Sequence, residues 1–127
     1  MVSYHLFSNP GGRENNEDYV GMYQNGQSWC FVLADGLGGH GKGEVASKLA
    51  VEAAIKEFAL RGPGEETLKA SFDQAQRAIL EGQREDYRAR DMKTTLVILH
   101  VSENQLWWGH IGDSRLYYFQ KGKLRER

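Results

Sequence analysis

The sequence predicts an antiparallel α+β fold of about six strands and two helices. Three observations predict it. Asn25-Gly26, the strongest short hairpin signal, separates two apolar-rich runs. Helical periodicity then occupies two consecutive stretches with no strand between them. Beyond Lys93 the chain turns β-branched and apolar, broken only by short turns. Strands, two helices, then strands is not the alternation that builds a parallel sheet.

The elements follow in order. Residues 3–8 read as a short strand, and the loop NPGGRENNED follows it. Residues 19–24 and 28–34 make the hairpin; its second strand is continuously apolar from Phe31 to Ala34, as expected of a strand buried on both faces. Residues 44–60 carry Val45, Ala46, Leu49, Ala50, Ala53, Ala54 and Phe58 at helical spacing, and Arg61-Gly62-Pro63-Gly64 stops that helix. A second helix runs over about 65–87, with Leu68, Phe72, Ala75 and Ile79 on one stripe and a charged, solvated end. Strands are expected at 94–101, 106–111 and 115–120, with turns at 102–105, 112–114 and 121–123 and a further strand beginning at Leu124. No internal repeat or linker divides residues 1–127.

Composition narrows the function. In 127 residues, 16 Lys+Arg face 17 Asp+Glu, giving a net charge of −1. That balance argues against nucleic acid or an anionic membrane as the main partner. The uncharged apolar stretch at 26–34 is too short to span a bilayer, and the first ten residues lack the basic start and apolar run of a signal peptide. A lone Cys30 excludes an internal disulfide and a Cys-based zinc site, and a reducing cytoplasm is the simplest setting. Glycine is enriched: 15 of 127 residues, with Gly36, Gly38, Gly39, Gly41 and Gly43 crowded together. Crowded glycine implies a backbone that approaches something closely.

Two phosphate motifs are formally present in that cluster. Gly36-Leu-Gly-Gly-His-Gly41 matches GxGxxG, but no parallel strand follows to present a ribose-binding acid. GLGGHGKG resembles the P-loop, but Gly43 replaces the hydroxyl residue that holds Mg²⁺, and Asp35 would set a carboxylate beside bound phosphate.

Asp35 is the better focus. An isolated Asp-Gly is more often a turn or helix cap. Here Glu17-Asp18 precedes the partner strand, and a two-residue turn joining 24 to 27 sets residues 17–18 nearly opposite 34–35. Three carboxylates at one end of a hairpin repel one another unless a cation joins them. Arg13 lies in the same loop, and Asp113 in a turn between later strands. Clustered carboxylates with a cation and an Arg fork suit the binding and hydrolysis of phosphate.

Arg13-x-x-Asn16-Glu17-Asp18, Ala34-Asp35-Gly36-Leu-Gly38-Gly39-His40, Thr94-Thr95-Leu96-Val97 and Gly112-Asp113-Ser114-Arg115 stand in this order. Together they resemble the metal-dependent serine/threonine protein phosphatases of the PP2C type, in their bacterial form. The resemblance implies an αββα sandwich, of which residues 1–127 are the N-terminal part, with a binuclear Mg²⁺ or Mn²⁺ centre. It implies that Asp35 bridges the metals, that the Gly36 carbonyl is a ligand, that Glu17 and Asp18 hold metal-bound water, and that Asp113 serves a further metal position. It gives Arg13 the substrate phosphate and makes Arg13 and Asp35 the catalytic pair. A metal-bridging hydroxide then attacks the phosphorus of a phosphoserine or phosphothreonine protein substrate.

The pattern also departs from the family. Leu37 stands where some members carry a candidate general-acid His; His40 is close by as an additional candidate, with a loop-packing or helix-start role as its alternative. Lys93 replaces a frequent Gly. No Asp follows Asp113, so the aspartates that the family's later half contributes are absent. The expectation is therefore a phosphatase part that is inactive by itself. A non-catalytic binding or assembly module is the alternative, and a homodimer or strand swap through the unpaired sheet is expected. Trp29, Trp107, Trp108 and the 117–119 aromatics read as sheet faces, His100 and His110 as core or surface histidines, and Cys30 as a small buried hydrophobe.

Overall fold

The computed structural model describes residues 18–112 in full and the backbone of residues 115–123. The expected strand at 3–8 and any strand from Leu124 lie outside the described residues. Strands β1 (Asp18–Asn25) and β2 (Ser28–Leu37) form the predicted hairpin. Its turn falls one position later than the sequence suggested: Asn25 pairs with Ser28, and Gly26 takes φ 65 as the first turn residue. A positive φ there suits the twist of a two-residue hairpin, and glycine adopts it without steric cost.

Helices α1 (Lys42–Arg61) and α2 (Glu65–Glu85) follow as a hairpin, and then β3 (Lys93–Ser102), β4 (Gln105–Gly112) and β5 (Arg115–Lys123). The sheet order is β1-β2-β3-β4-β5, with every neighbouring pair antiparallel. Both helices are thus inserted between two adjacent antiparallel strands. This disposes of the dinucleotide-binding reading of the glycines, which requires a parallel crossover.

The helices cover one face of the sheet. Ala46, Ala50 and Ala54 of α1 are fully buried, and their small side chains let the helix approach the strands closely. The core joins Val51 and Phe58 of α1 and Leu68 and Phe72 of α2 to Cys30, Val32 and Ala34 of β2 and Leu96 and Ile98 of β3. Gly62 (φ 82) ends α1, donating its N–H to the Phe58 carbonyl at 2.8 Å, as the Gly-Pro-Gly signal predicted.

Three sequence expectations need correction. β2 is not buried on both faces: Val32 and Ala34 are buried, but Leu33 between them is 49% exposed. The strand alternates because helices pack on one side only, and among the described residues no element packs on the other. β5 runs through Lys121-Gly122-Lys123, where a turn was expected, because those residues continue the ladder with Gln105, Leu106 and Trp107. The stretch after α2 is also less solvated than its charges suggested. Asp86 accepts a hydrogen bond from the Arg88 N–H at 2.9 Å and starts a 3-10 turn, Tyr87–Ala89. That turn folds Ala89 and Met92 into a second buried cluster with Ala46.

Candidate metal and phosphate site

The hairpin register decides which carboxylates meet. Asp18 pairs directly with Asp35, a closer match than the near-opposition expected from the earlier turn. Cross-strand partners share a face, so both side chains lie on the sheet face away from the helices. Asp35 is exposed; Asp18 is half-buried, and its Oδ1 is shielded from solvent. Two like charges directly opposite each other oppose pairing, and shielding one of them raises the cost unless positive charge is close.

The glycines behind Asp35 have a packing reason. A Cβ on Gly36 would stand 1.9 Å from the carbonyl oxygen of Gly43, backbone against backbone. A Cβ on Gly38 would stand 3.0 Å from Met92 Cα and 3.2 Å from the Gly43 N–H nitrogen. The end of β2 therefore lies directly on the first turn of α1, which fixes Asp35 relative to the helix start. β2 also continues two residues past Asp35, so Asp35 sits within a strand that is interior to the sheet, not at a strand terminus or a sheet edge. The alternative role of helix cap falls away, because the N-cap of α1 is Gly41.

The other candidates divide. Arg13, Glu17 and Asp113 lie outside the described residues; β4 ends at Gly112, and Ile111 aligns through Leu96 with Ala34, so β4 terminates at the Asp35 end of the sheet. His40 is exposed in the 3-10 turn Gly39–Gly41, with φ 58. Among the described residues no third His, Cys, Asp or Glu joins Asp18 and Asp35 in a cluster able to hold a metal. Two opposed carboxylates still fit a hard, oxygen-liganded cation such as Mg²⁺ or Mn²⁺, as part of a ligand set.

Groups away from this end are not poised for chemistry. Burial pushes the Cys30 thiol up to about 12, which keeps it protonated and inert. Burial also pushes His100 down to about 4. The Gly64 N–H donates to His100 Nδ1 at 3.2 Å, tying the helix hairpin to β3. A cleft of about 180 Å³ opens between α2 and the ends of β3 and β4, lined by Phe72, Ile79, Met92, Thr94 and Ile111. Met92 and the second buried cluster gave no sequence signal beyond a single apolar residue in a charged stretch.

The family model for protein phosphatase 2C matches residues 11–126. The chain belongs to the protein phosphatase 2C family. It is 40% identical over 118 residues to the serine/threonine protein phosphatase PstP of Mycobacterium tuberculosis, covering 90% of this chain and 22% of that protein. It is 33% identical over 121 residues to the serine/threonine phosphatase stp of Listeria welshimeri, covering 90% of this chain and 48% of that protein. The crystal structure of the PstP catalytic domain in complex with two manganese ions superposes with a TM-score of 0.65 at 36% identity, covering 80% of this chain and 43% of that one. The chain thus spans about half the length of the Listeria relative. The four motifs read from the sequence fall within the matched span, and the fold is a partial α+β version of the phosphatase fold. No helix among the described residues is long and apolar enough to cross a membrane.

Proposed function

We propose that this chain carries the first part of the active site of a metal-dependent phosphoserine/phosphothreonine protein phosphatase. The observation that carries the reading is the direct pairing of Asp18 with Asp35 at one end of the sheet, locked by the Gly36–Gly43 contact. In this reading Asp35 and Asp18 hold Mg²⁺ or Mn²⁺, with the Gly36 carbonyl, Glu17 and Asp113 as further ligands. When bound, the cation generates the nucleophile from water and neutralises charge on the phosphate. Arg13 orients the phosphate through its guanidinium fork. His40 is an additional proton donor candidate, exposed at the turn before α1. The substrate is a phosphoprotein, and neither nucleic acid nor a membrane surface is required. A cytoplasmic setting agrees with the lone buried Cys30.

Manganese titration tests this. The chain should bind Mn²⁺ in calorimetry, and Asp35→Asn should weaken binding at least about tenfold, since the substitution removes a charged ligand. Equal affinity in the two proteins would overturn the assignment of Asp35. A second reading is a non-catalytic assembly module, favoured by the partly exposed apolar face around Leu33 and Val97. Absence of Mn²⁺ binding together with a tight protein complex would favour it.

A further inference from the structure

Lys93 is a charged residue beside the acidic pair, and the metal reading leaves it without a task. β3 begins at Lys93, which pairs with Leu37, and Thr95 pairs with Asp35. Lys93 therefore stands diagonal to Asp35 on the face that Asp35 shares with Asp18. Diagonal cross-strand positions lie about 7–8 Å apart, within reach of a long side chain. Leu37, directly opposite, carries no charge, and Lys93 is exposed and forms no ion pair among the described residues. Lys42, which begins α1, is by contrast held by Asp86 at 3.1 Å. Lys93 also borders the cleft of about 180 Å³ beneath α2, together with Gln76, Gln83 and Thr94. The Gln83 amide nitrogen donates to the Met92 carbonyl at 2.7 Å, which leaves its side-chain oxygen to accept. The Lys93 ammonium thus has two destinations, the acidic pair and the polar rim of the cleft.

We propose that Lys93 is a resident counter-ion of the Asp18–Asp35 pair, and that a divalent cation enters this end of the sheet by displacing the ammonium toward the cleft. Two carboxylates directly opposite each other repel, and Asp18 Oδ1 is shielded from solvent, which strengthens the repulsion. An ammonium on the neighbouring strand relieves it without a fixed coordination geometry, because lysine carries a point charge on a flexible stem. Mg²⁺ or Mn²⁺ requires the same carboxylate oxygens and brings two charges. The ammonium and the cation repel each other and compete for those oxygens. Lys93 therefore stabilises the metal-free chain and weakens metal binding. It is a positioning residue, acting through the two aspartates. The exchange rests on the metal reading; the counter-ion role stands without any metal.

Urea denaturation in EDTA and calorimetric Mn²⁺ titration of the 127-residue chain test the two halves separately. In EDTA, Lys93→Gln should lower the urea midpoint of the wild-type chain more than that of Asp35→Asn, in which the pair carries only one charge. Lys93→Arg, which keeps the charge, should retain the midpoint. In the titration at low salt, Lys93→Gln should bind Mn²⁺ about threefold to tenfold more tightly than the wild type, and the gain should shrink at high ionic strength. Lys56→Gln removes the same charge at an exposed site of α1 and should leave Mn²⁺ affinity unchanged. An unchanged midpoint in Lys93→Gln, or one lowered equally in both Asp35 backgrounds, would overturn the counter-ion role. Unchanged or weaker Mn²⁺ binding in Lys93→Gln would overturn the exchange. Absence of Mn²⁺ binding in both proteins, with the coupling to Asp35 intact, would sink the metal reading and the exchange and keep Lys93 as the counter-ion of the pair.

Discussion

Gly36 and His100 show how much one atom decides in this fold. Gly36 has no Cβ because the Gly43 carbonyl oxygen occupies its place, 1.9 Å from where that carbon would be. Neither partner in that contact is a flexible side chain, so Gly36→Ala must move the end of β2 away from α1. The expected cost is about 3 kcal/mol or more in urea unfolding. Gly39→Ala, where no atom lies within 4 Å of the added carbon, should change stability by less than about 0.5 kcal/mol. Similar losses in both variants would show that the crowding at Gly36 has been misjudged. His100 sets a pH dependence. Its Nδ1 accepts from the Gly64 N–H, its ring packs against Phe58 at 4.8 Å between centroids, and burial holds its pKa near 4. In the unfolded chain it titrates near its ordinary 6.5. Between those values the unfolded state binds a proton that the folded state refuses, so stability falls as pH drops through that window. The protein should be about 2 kcal/mol less stable at pH 5 than at pH 7 from this group alone. His100→Leu should flatten that slope between the two pH values, measured by urea denaturation. A slope unchanged in the variant would assign the dependence to other groups.

The elements were more legible than their surroundings. Asn25-Gly26 announced the hairpin, Gly62-Pro63-Gly64 the break between helices, and the alanine and leucine spacing the two helices themselves. The two turn signals are local: each depends on backbone conformations that few residues adopt. Burial of β2 was misread because Phe31 to Ala34 is uniformly apolar, while coverage depends on what packs on each face. Apolar composition shows that a strand can be buried, not that it is. Met92 was missed for a related reason: its burial depends on the Asp86-capped turn, which no periodicity reveals. Composition and motif single out Asp35 as a candidate, and its expected register with Asp18 differs from the observed pairing by one turn position. The roles of Arg13, Glu17 and Asp113 rest on family motifs and lie outside the described residues. At this scale α1 offers a test. Ala54 is fully buried where the helix meets the sheet, and its size sets their separation. Ala54→Leu should cost about 1–3 kcal/mol by overpacking, read as a lower urea midpoint with the slope retained. A neutral or stabilising result would mean that the interface holds unfilled space.

For the molecule as a whole, the question is whether residues 1–127 can perform the proposed reaction. The described residues place two carboxylates at one end of the sheet, and among the described residues no third ligating side chain joins them. The sequence offers Glu17 and Asp113 as further acids but no aspartate beyond Asp113. Metal-assisted phosphoryl chemistry depends on a fixed coordination geometry and a site shielded from bulk water, so that the attacking oxygen and the phosphate are held in line. The two described carboxylates by themselves meet neither condition. With Mn²⁺ present, the 127-residue chain should therefore hydrolyse p-nitrophenyl phosphate with kcat/KM on the order of a thousandfold below that of the PstP catalytic domain assayed alongside it. Turnover within about tenfold of that domain, abolished by Asp35→Asn, would show that residues 1–127 assemble a complete site. Comparable turnover that survives Asp35→Asn would instead point to a contaminating phosphatase. The low rate is expected even if the chain binds Mn²⁺ well, because affinity needs only ligands, whereas in-line attack also needs the geometry that the other half of the longer relatives' sequence would have to supply.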